Sequence, residues 1–403
     1  MANRYWIAGS AGNWNDTANW STTSGGSGGA SVPGASDDVI FDTNGAGNCT
    51  VNVNINVLSI TLSSYVGAFD TAGFDVALGA GGLVVGSGLS SFDAGSGTWT
   101  ISGNVDVSAA TSLPSATYMN VVTAGSFTWT ALGSSDIIVG DLTVSSGDTL
   151  TCSSGGAWLG PAAPCTWIIA GTLHNTAPQD ITIGSGSGLI TLTVQSTGVM
   201  SGITKGYVIN AGTNLGFDVT VDGQITKDLT VRKNYNPGEI GDFSGTGSIT
   251  GTTTFTRYGG SGGDPITLGS SVPTFNHLVL NDSFGGTGVV DAATNSPNLT
   301  VTGDFLIQPT TSFGWSAGTG TITLDNTAAQ AIDFDGQTVE AVIVSNASTG
   351  AITLGANFTT PYVHDCNNLI DLNGFTITET GTDPSPCVSY AGYYLLDEPF
   401  KRL

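Results

Sequence analysis

Along almost the whole chain, apolar residues alternate with hydroxyl-bearing or acidic ones in runs of four to seven positions, among them "TVNVNI", "TWTISG", "NVDVS", "LITLTV", "DVTVDG", "NLTVTGDFLI" and "AITLG". A two-residue period is the pattern of a strand with one buried face. Clusters of Gly, Ser, Asn and Asp separate the runs and supply turns. The pattern predicts a chain that is nearly all β.

The runs also resemble one another. A Gly followed by one residue and then by apolar positions two apart recurs as "GFDV" at Gly73, "GNVDV" at Gly103, "GDLTV" at Gly140, "GTLHN" at Gly171, "GQITK" at Gly223, "GDFLI" at Gly303 and "GFTIT" at Gly374. Gly103, Gly140 and Gly171 lie 37 and 31 residues apart, and later copies are spaced more widely. Degenerate repetition of a strand-turn-strand phrase points to a solenoid, in which each coil buries its apolar face against the next. A right-handed parallel β-helix fits best, because antiparallel sandwiches would not reproduce one phrase so often. Three parts are expected: an N-terminal Trp-rich capping module over residues 1–45, a solenoid over 46–388, and an aromatic C-terminal tail over 389–403.

Solenoid ends need covering, since they carry unpaired backbone groups and open apolar faces. Trp6, Trp14 and Trp20, set in "YWIAGSAGNWNDTANW" and followed by "SVPGASDDVIFD" at Ser31 to Asp42, are read as a cap over the first coil. Two other uses remain open to these rings: stacking on a sugar, and docking onto a partner protein. At the far end "SYAGYYLLDEPFKRL" gathers Tyr393, Tyr394, Leu395, Leu396 and Phe400. This tail is expected either to fold back as the second cap or to anchor the chain in another subunit.

Composition narrows the classes. Charged residues are 10% of the chain, against roughly 25% in an average soluble domain, and Glu occurs only at positions 239, 340, 379 and 398. Few exposed helices can be built from that. A formal net charge of −23 argues against binding nucleic acid, which needs clustered Lys and Arg. The one local exception is Lys205, Lys227, Arg232, Lys233 and Arg257, five of the eight basic residues, which are expected to lie scattered on a solvated face. No apolar run reaches the ~18 residues of a membrane helix, and the first residues lack the apolar core of a secretory signal. With Met1 as the start, the expectation is synthesis in the cytoplasm. Yet the acidic, hydroxyl-rich surface suits an extracellular setting, and release by lysis reconciles the two.

The phrase Tyr-Trp, then "GNWNDTANWS", a Gly-rich loop and "PGASDDVIFD" resembles the opening module of β-helical proteins found on bacterial surfaces and in tailed-phage genomes. The phrases "GTWTISGNVDVS", "NLTVTGDFLI" and "GTITLDNTAAQAI" are similar to the coils that follow it there. The resemblance implies a β-helix in a surface or virion setting, and it carries no catalytic residues. The expected function is a non-enzymatic virion protein: a fibre or appendage of tail or capsid, homotrimeric, bound to other virion proteins and touching a glycan of the host surface. A bacterial or archaeal surface adhesin and a tailspike-like depolymerase are the alternatives.

Chemistry is sparse. Two local disulfides are conceivable, Cys152 with Cys165 around "SSGGAWLGPAAP" and Cys366 with Cys387, which leaves Cys49 over. No Cys-x-x-Cys, calcium loop, phosphate loop or dinucleotide fingerprint is present, so neither metal nor cofactor is expected. For a glycosidase the local carboxylate pairs are Asp37 with Asp38, Asp333 with Asp335, and Asp397 with Glu398. Asp37 and Asp38 should point to opposite faces of a strand, whereas Asp333 and Asp335 can share one. A lyase would find a base and acidic ligands only near Lys227 and Lys233, beside Asp222 and Asp228. Asp is the commonest turn residue of the chain, however, and a solvated turn explains each carboxylate. His174, His277 and His364 lie in or beside strand-like runs and are read as structural.

Overall fold

The computed structural model describes residues 1–109, 119–130, 137–153, 158–159, 164–184, 188–211, 216–234, 240–258, 265–281, 288–308, 313–345, 347–366 and 369–384. The fold is all-β and built from parallel strands, and the one helix among the described residues is the single 3-10 turn Thr17–Asn19. The chain divides into two compact units, residues 1–186 with 197–207, and residues 187–196 with 208–403. Each is a parallel β-solenoid.

In the first unit the strands stack in three ladders. One runs through Ala2–Trp6, Asp37–Phe41, the second halves of Ile55–Leu62 and Val76–Val85, then Val105–Asp106, Phe127–Thr130, Thr149–Ser153, Thr172–Asn175 and Val199–Gly202. A second takes the first halves of Ile55–Leu62 and Val76–Val85, then Thr98–Ile101, Met119–Thr123, Ile137–Val144 and Cys165–Ile169. The third is short: Gly12–Asn13, Cys49–Thr50, Ala68–Asp70 and Ser91–Asp93. Parallel pairing in register places like positions above one another. Val39, Ile60, Leu83, Val105, Trp129 and Cys152 form one inward column, and Val76, Trp99, Val121, Leu142 and Trp167 another, all buried.

The recurring Gly-x phrase has a physical basis here. A Cβ on Gly103 would lie 2.6 Å from the backbone of Ala80 in the preceding coil, so only Gly permits that approach. The residue after it, Asn104, accepts the backbone N–H of Thr128 in the following coil (2.9 Å). The same clip links Asn54 to Asp75 and Asp75 to Thr98, 21 and 23 residues on, and Asn120 to Asp141 and Asp141 to Thr166. Each clip runs from a side chain in one coil to an amide at or near a strand start in the next, so successive coils are fastened together.

The N-terminal tryptophans pack together beside the first strand of the first ladder, Ala2–Trp6. Trp6 and Trp20 meet edge to face at 5.2 Å and Trp14 and Trp20 at 4.8 Å, with Phe41 of the next strand against Trp6 at 5.6 Å. Trp20–Ser21 pairs antiparallel with Tyr5 and Trp6 on the edge opposite Asp37–Phe41, so those two residues have a strand on either side. The polar handles of the rings are satisfied internally. Trp6 Nε1 donates to the Gly47 carbonyl (2.9 Å), which also accepts from Tyr65 Oη, and Trp20 Nε1 donates to the Trp14 carbonyl. Gly47 itself must be Gly, because a Cβ there would collide with the backbone of Ser10.

The second unit repeats the scheme. Its ladders are Ile190–Val194, Gly216–Val221, Ile240–Ser244, Ile266–Leu268, Gly288–Asp291 and Phe313–Ser316; then Gln224–Ile225, Ser248–Tyr258, Thr274–Asn281, Leu299–Val301, Thr321–Leu324, Ala341–Val344 and Val363–His364; and a third from Leu229–Asn234 through the later parts of Ser248–Tyr258 and Thr274–Asn281 to Phe305–Gln308, Gln330–Asp333, Ile352–Leu354 and Ile370–Asp371. Phe305, Phe334 and Phe358 pack edge to face in sequence at 5.0 and 4.9 Å. Glu340 is fully enclosed: it accepts from Trp315 Nε1 and from the Gly318 amide, each at 2.7 Å, and burial raises its pKa above the ordinary Glu range despite those bonds. Asp228, Asn298 and Asp304 clip onto Thr252, Thr321 and Ala331 as their counterparts do in the first unit.

Replacing Trp20 by Ala should therefore be costly. It removes a ring packed against Trp6, Trp14 and Phe41, and a buried Trp-to-Ala change costs about 3–5 kcal/mol. The expected outcome is a lower thermal midpoint with loss of near-ultraviolet circular dichroism from the tryptophans. An unchanged midpoint would mean the cluster is dispensable.

Candidate functional site

The sequence-based site residues are distributed unlike the expectation. Trp6, Trp14 and Trp20 are 0% exposed, which corrects the sugar-stacking assignment: a ring with both faces packed on Phe41, Phe69 or another tryptophan has none to offer a ligand. The Cys152–Cys165 disulfide is also corrected. Both are free, buried thiols, because each fills an inward position on a different ladder, Cys152 over Trp129 and Cys165 in the strand that pairs with Ile137–Val144. Burial raises the thiol pKa of Cys152, and burial followed by the Asp141 charge raises that of Cys165 to about 11. Cys49 is likewise free and buried. Cys366 is disulfide-bonded, and Cys387 lies outside the described residues, as do Tyr393, Tyr394, Leu395, Leu396 and Phe400.

The carboxylate pairs read as structure. Asp37 takes the Gly34 amide on one face while Asp38 takes the Ser59 hydroxyl on the other. Asp333 accepts the amide of Asp335, which stands at φ 48°, so this pair closes a turn. Asp222 and Asp228 serve as clips onto Thr246 and Thr252. Asp397 and Glu398 lie outside the described residues. Of the basic residues, Arg232 is exposed, whereas Lys233, next along the strand, turns inward and donates to the Pro265 carbonyl (2.8 Å). His174 meets Ser201 Oγ at 2.8 Å and His277 Nδ1 accepts the Asp304 amide.

Register brings together what sequence distance separates. On the outer face of the second unit, Thr191, Asp218, Asp242, Thr267, Asp291 and Ser316 are consecutive partners in one ladder. Adjacent strands lie about 4.8 Å apart, so Asp218 and Asp242 stand beside each other as neighbouring carboxylates. Next to them Thr220 and Ser244 share a hydroxyl contact at 3.1 Å. The row ends at a shallow depression bounded by Pro265, Val289, Asp291, Ala293, Thr294 and Ser316, where Val289 is among the exposed large apolar residues. The Asp218 pKa is raised, first by burial and then by the Asp242 charge. Such a row presents hydroxyls, carboxylates and a small apolar floor to a polyhydroxylated ligand.

A second cluster closes the described part of the second unit. His364 Nδ1 donates to Asp383 Oδ2 (2.7 Å), and its Nε2 faces Cys366 Sγ at 3.0 Å. Sequence reasoning missed both groups. Asp218 and Asp242 become neighbours only through the pairing register, and His364 reaches Asp383 only because the chain returns one coil later.

Among the described residues no three of His, Cys, Asp and Glu gather as metal ligands, and no helix is long and apolar enough to cross a membrane. No known protein family, curated protein or solved structure matches the chain.

Substituting Asp242 by Asn tests the carboxylate contact. A raised carboxyl pKa means the folded state holds its proton more tightly than the unfolded one. Its contribution to stability is fully present below the ordinary Asp value of about 3.9 and is lost as pH rises through the raised value. Asp242→Asn should stabilise the protein at pH 7 by about 0.5 kcal/mol, the scale of a like-charge cross-strand pair. The gain should vanish at pH 3. Urea unfolding at both values measures it, and an equal effect at both would refute the contact.

Proposed function

We propose that this is a non-enzymatic structural protein of a tailed bacteriophage: a β-solenoid fibre or appendage of tail or capsid, made in the cytoplasm, assembled into the virion as a homotrimer and touching a glycan of the host surface. The observation that carries this reading is the division of labour across each strand. Inward columns of Val, Ile, Leu, Phe and Trp fill the interior, while Thr, Ser, Asn and Asp recur at the outward positions. Such a body is a spacer with a hydroxylated exterior, suited to weak contacts repeated over many copies. The row from Thr191 to Ser316, rather than the tryptophans, is the glycan-facing surface of the proposal. A trimer follows from the advantage of burying one lateral face per chain and from the prevalence of closed symmetry.

Light scattering of the full chain beside a version ending at Tyr390 tests the assembly. The expected result is a trimer that falls to monomer when residues 391–403 are removed. A monomer in both cases would sink the fibre reading and leave a capsid decoration protein or single-chain adhesin.

One observation favours a second reading, a polysaccharide depolymerase. Retaining glycosidases hold two carboxyl groups about 5–5.5 Å apart, one of raised pKa as the acid, and Asp218 beside Asp242 fits that description. On that reading Asp218 and Asp242 supply adjacent carboxylates, and Asp218→Asn is expected to abolish clearing of host capsule by the purified chain. Wild-type protein that is inert on a broad glycan panel returns the row to a binding role.

A further inference from the structure

The cysteines fall into two chemical environments. Cys49, Cys152 and Cys165 are buried thiols whose pKa values are pushed up by desolvation, and such thiols are inert. Cys366 is exposed, disulfide-bonded, and part of a constellation that none of the others has. Strand Val363–His364 carries the imidazole, and the turn after it brings Sγ of Cys366 to 3.0 Å from Nε2. Asp383, arriving from the next coil, accepts from Nδ1 at 2.7 Å and fixes the ring. The remaining acidic groups around the strand are already engaged by backbone. Glu379 accepts the Val363 amide, and Asp365 accepts the amides of Leu369 and Ile370. The imidazole therefore has one carboxylate partner and one sulfur partner.

Thiol, imidazole and carboxylate in this order is an arrangement that stabilises a thiolate. We propose that Cys366, His364 and Asp383 form a thiol–disulfide exchange site, in which the disulfide at Cys366 is opened by a small-molecule or protein thiol with Cys366 as the leaving group. The thiolate of the incoming reductant attacks the sulfur bonded to Cys366. A new sulfur–sulfur bond forms between reductant and protein, the old bond breaks, and its electron pair leaves on Cys366 Sγ. That thiolate pairs with the protonated imidazole at Nε2 while Asp383 holds the Nδ1 proton. A second thiol then displaces the first: the reductant is oxidised to its own disulfide and the protein retains two reduced cysteines. Leaving-group thiols of lower pKa depart faster, so the constellation directs which sulfur leaves and makes the bond responsive to a reducing compartment. A chain made in a reducing cytoplasm and used outside it would carry Cys366 as a thiol first and as a disulfide later.

The test uses the full-length chain. After complete reduction and removal of the reductant, iodoacetamide labelling is followed from pH 5 to pH 9 with each cysteine mapped by mass spectrometry. Cys366 in the folded protein should label at pH 6 at least about tenfold faster than the same cysteine in urea-unfolded chain, the scale set by moving a thiol from about 8.5 to 7.5 or below. Cys49, Cys152 and Cys165 should stay unlabelled until unfolding. His364→Gln should move the Cys366 profile to that of the unfolded chain, and Asp383→Asn should move it part of the way. In a separate measurement on the oxidised protein, glutathione should open the disulfide several-fold more slowly in His364→Gln than in wild type. A wild-type Cys366 profile that matches the unfolded chain overturns the proposal without reference to any variant. So does equal disulfide opening with and without the imidazole.

Discussion

Parallel pairing in register is the constraint on which everything else rests. Each residue of a coil lies about 4.8 Å from its counterpart in the next, so a side chain is judged by a column rather than by its own neighbours in sequence. Inside, the column must be filled without gaps. The succession Val76, Trp99, Val121, Leu142, Trp167 meets that need by alternating large and smaller apolar residues, and the phenylalanines of the second unit do so by edge-to-face contact. Outside, a column collects like groups whether or not they repel, and Asp218 beside Asp242 is the consequence.

The same constraint accounts for much of the negative charge. Backbone amides at strand starts and at register shifts need acceptors as those within the ladder do. Short Asn and Asp side chains reach one coil forward and supply them, as Asp75, Asp141, Asp228 and Asp304 do, and an adjacent Gly lets the backbones approach, as at Gly103 and Gly303. Lys and Arg donate and cannot take that role. A chain that clips its coils with carboxylates and needs few cations therefore drifts to an acidic balance. Its net charge of −23 reflects, in good part, how the coils are fastened.

This separates what was legible in the sequence from what was not. The two-residue alternation and the repeated Gly phrase are local, and they led to the parallel solenoid because each strand needs only its own few residues to declare its inward face. Register is not local. Nothing between Asp218 and Asp242 announces that they are neighbours, since the intervening coil length varies from turn to turn. The expected Cys152–Cys165 disulfide failed for the related reason that the two bracket a short loop yet occupy inward positions on separate ladders. For the tryptophans, one dimension cannot tell a ring packed on Phe41 from a ring waiting for a sugar. The rings' burial comes from residues distant in sequence, with Phe41 and Phe69 packed against them and the Gly47 carbonyl taking the Trp6 indole N–H.

An interior closed in this way leaves chemistry only at the outer face and at chain returns. Glu340 illustrates the cost of the interior: it is held by two donors, yet burial still pushes its carboxyl toward the protonated form. At His364 the same kind of carboxylate–ring pair is only partly buried and stands beside the exposed Cys366. The contrast is one of access. Within a single fold, packing encloses one such pair and a chain return leaves the other partly open to solvent.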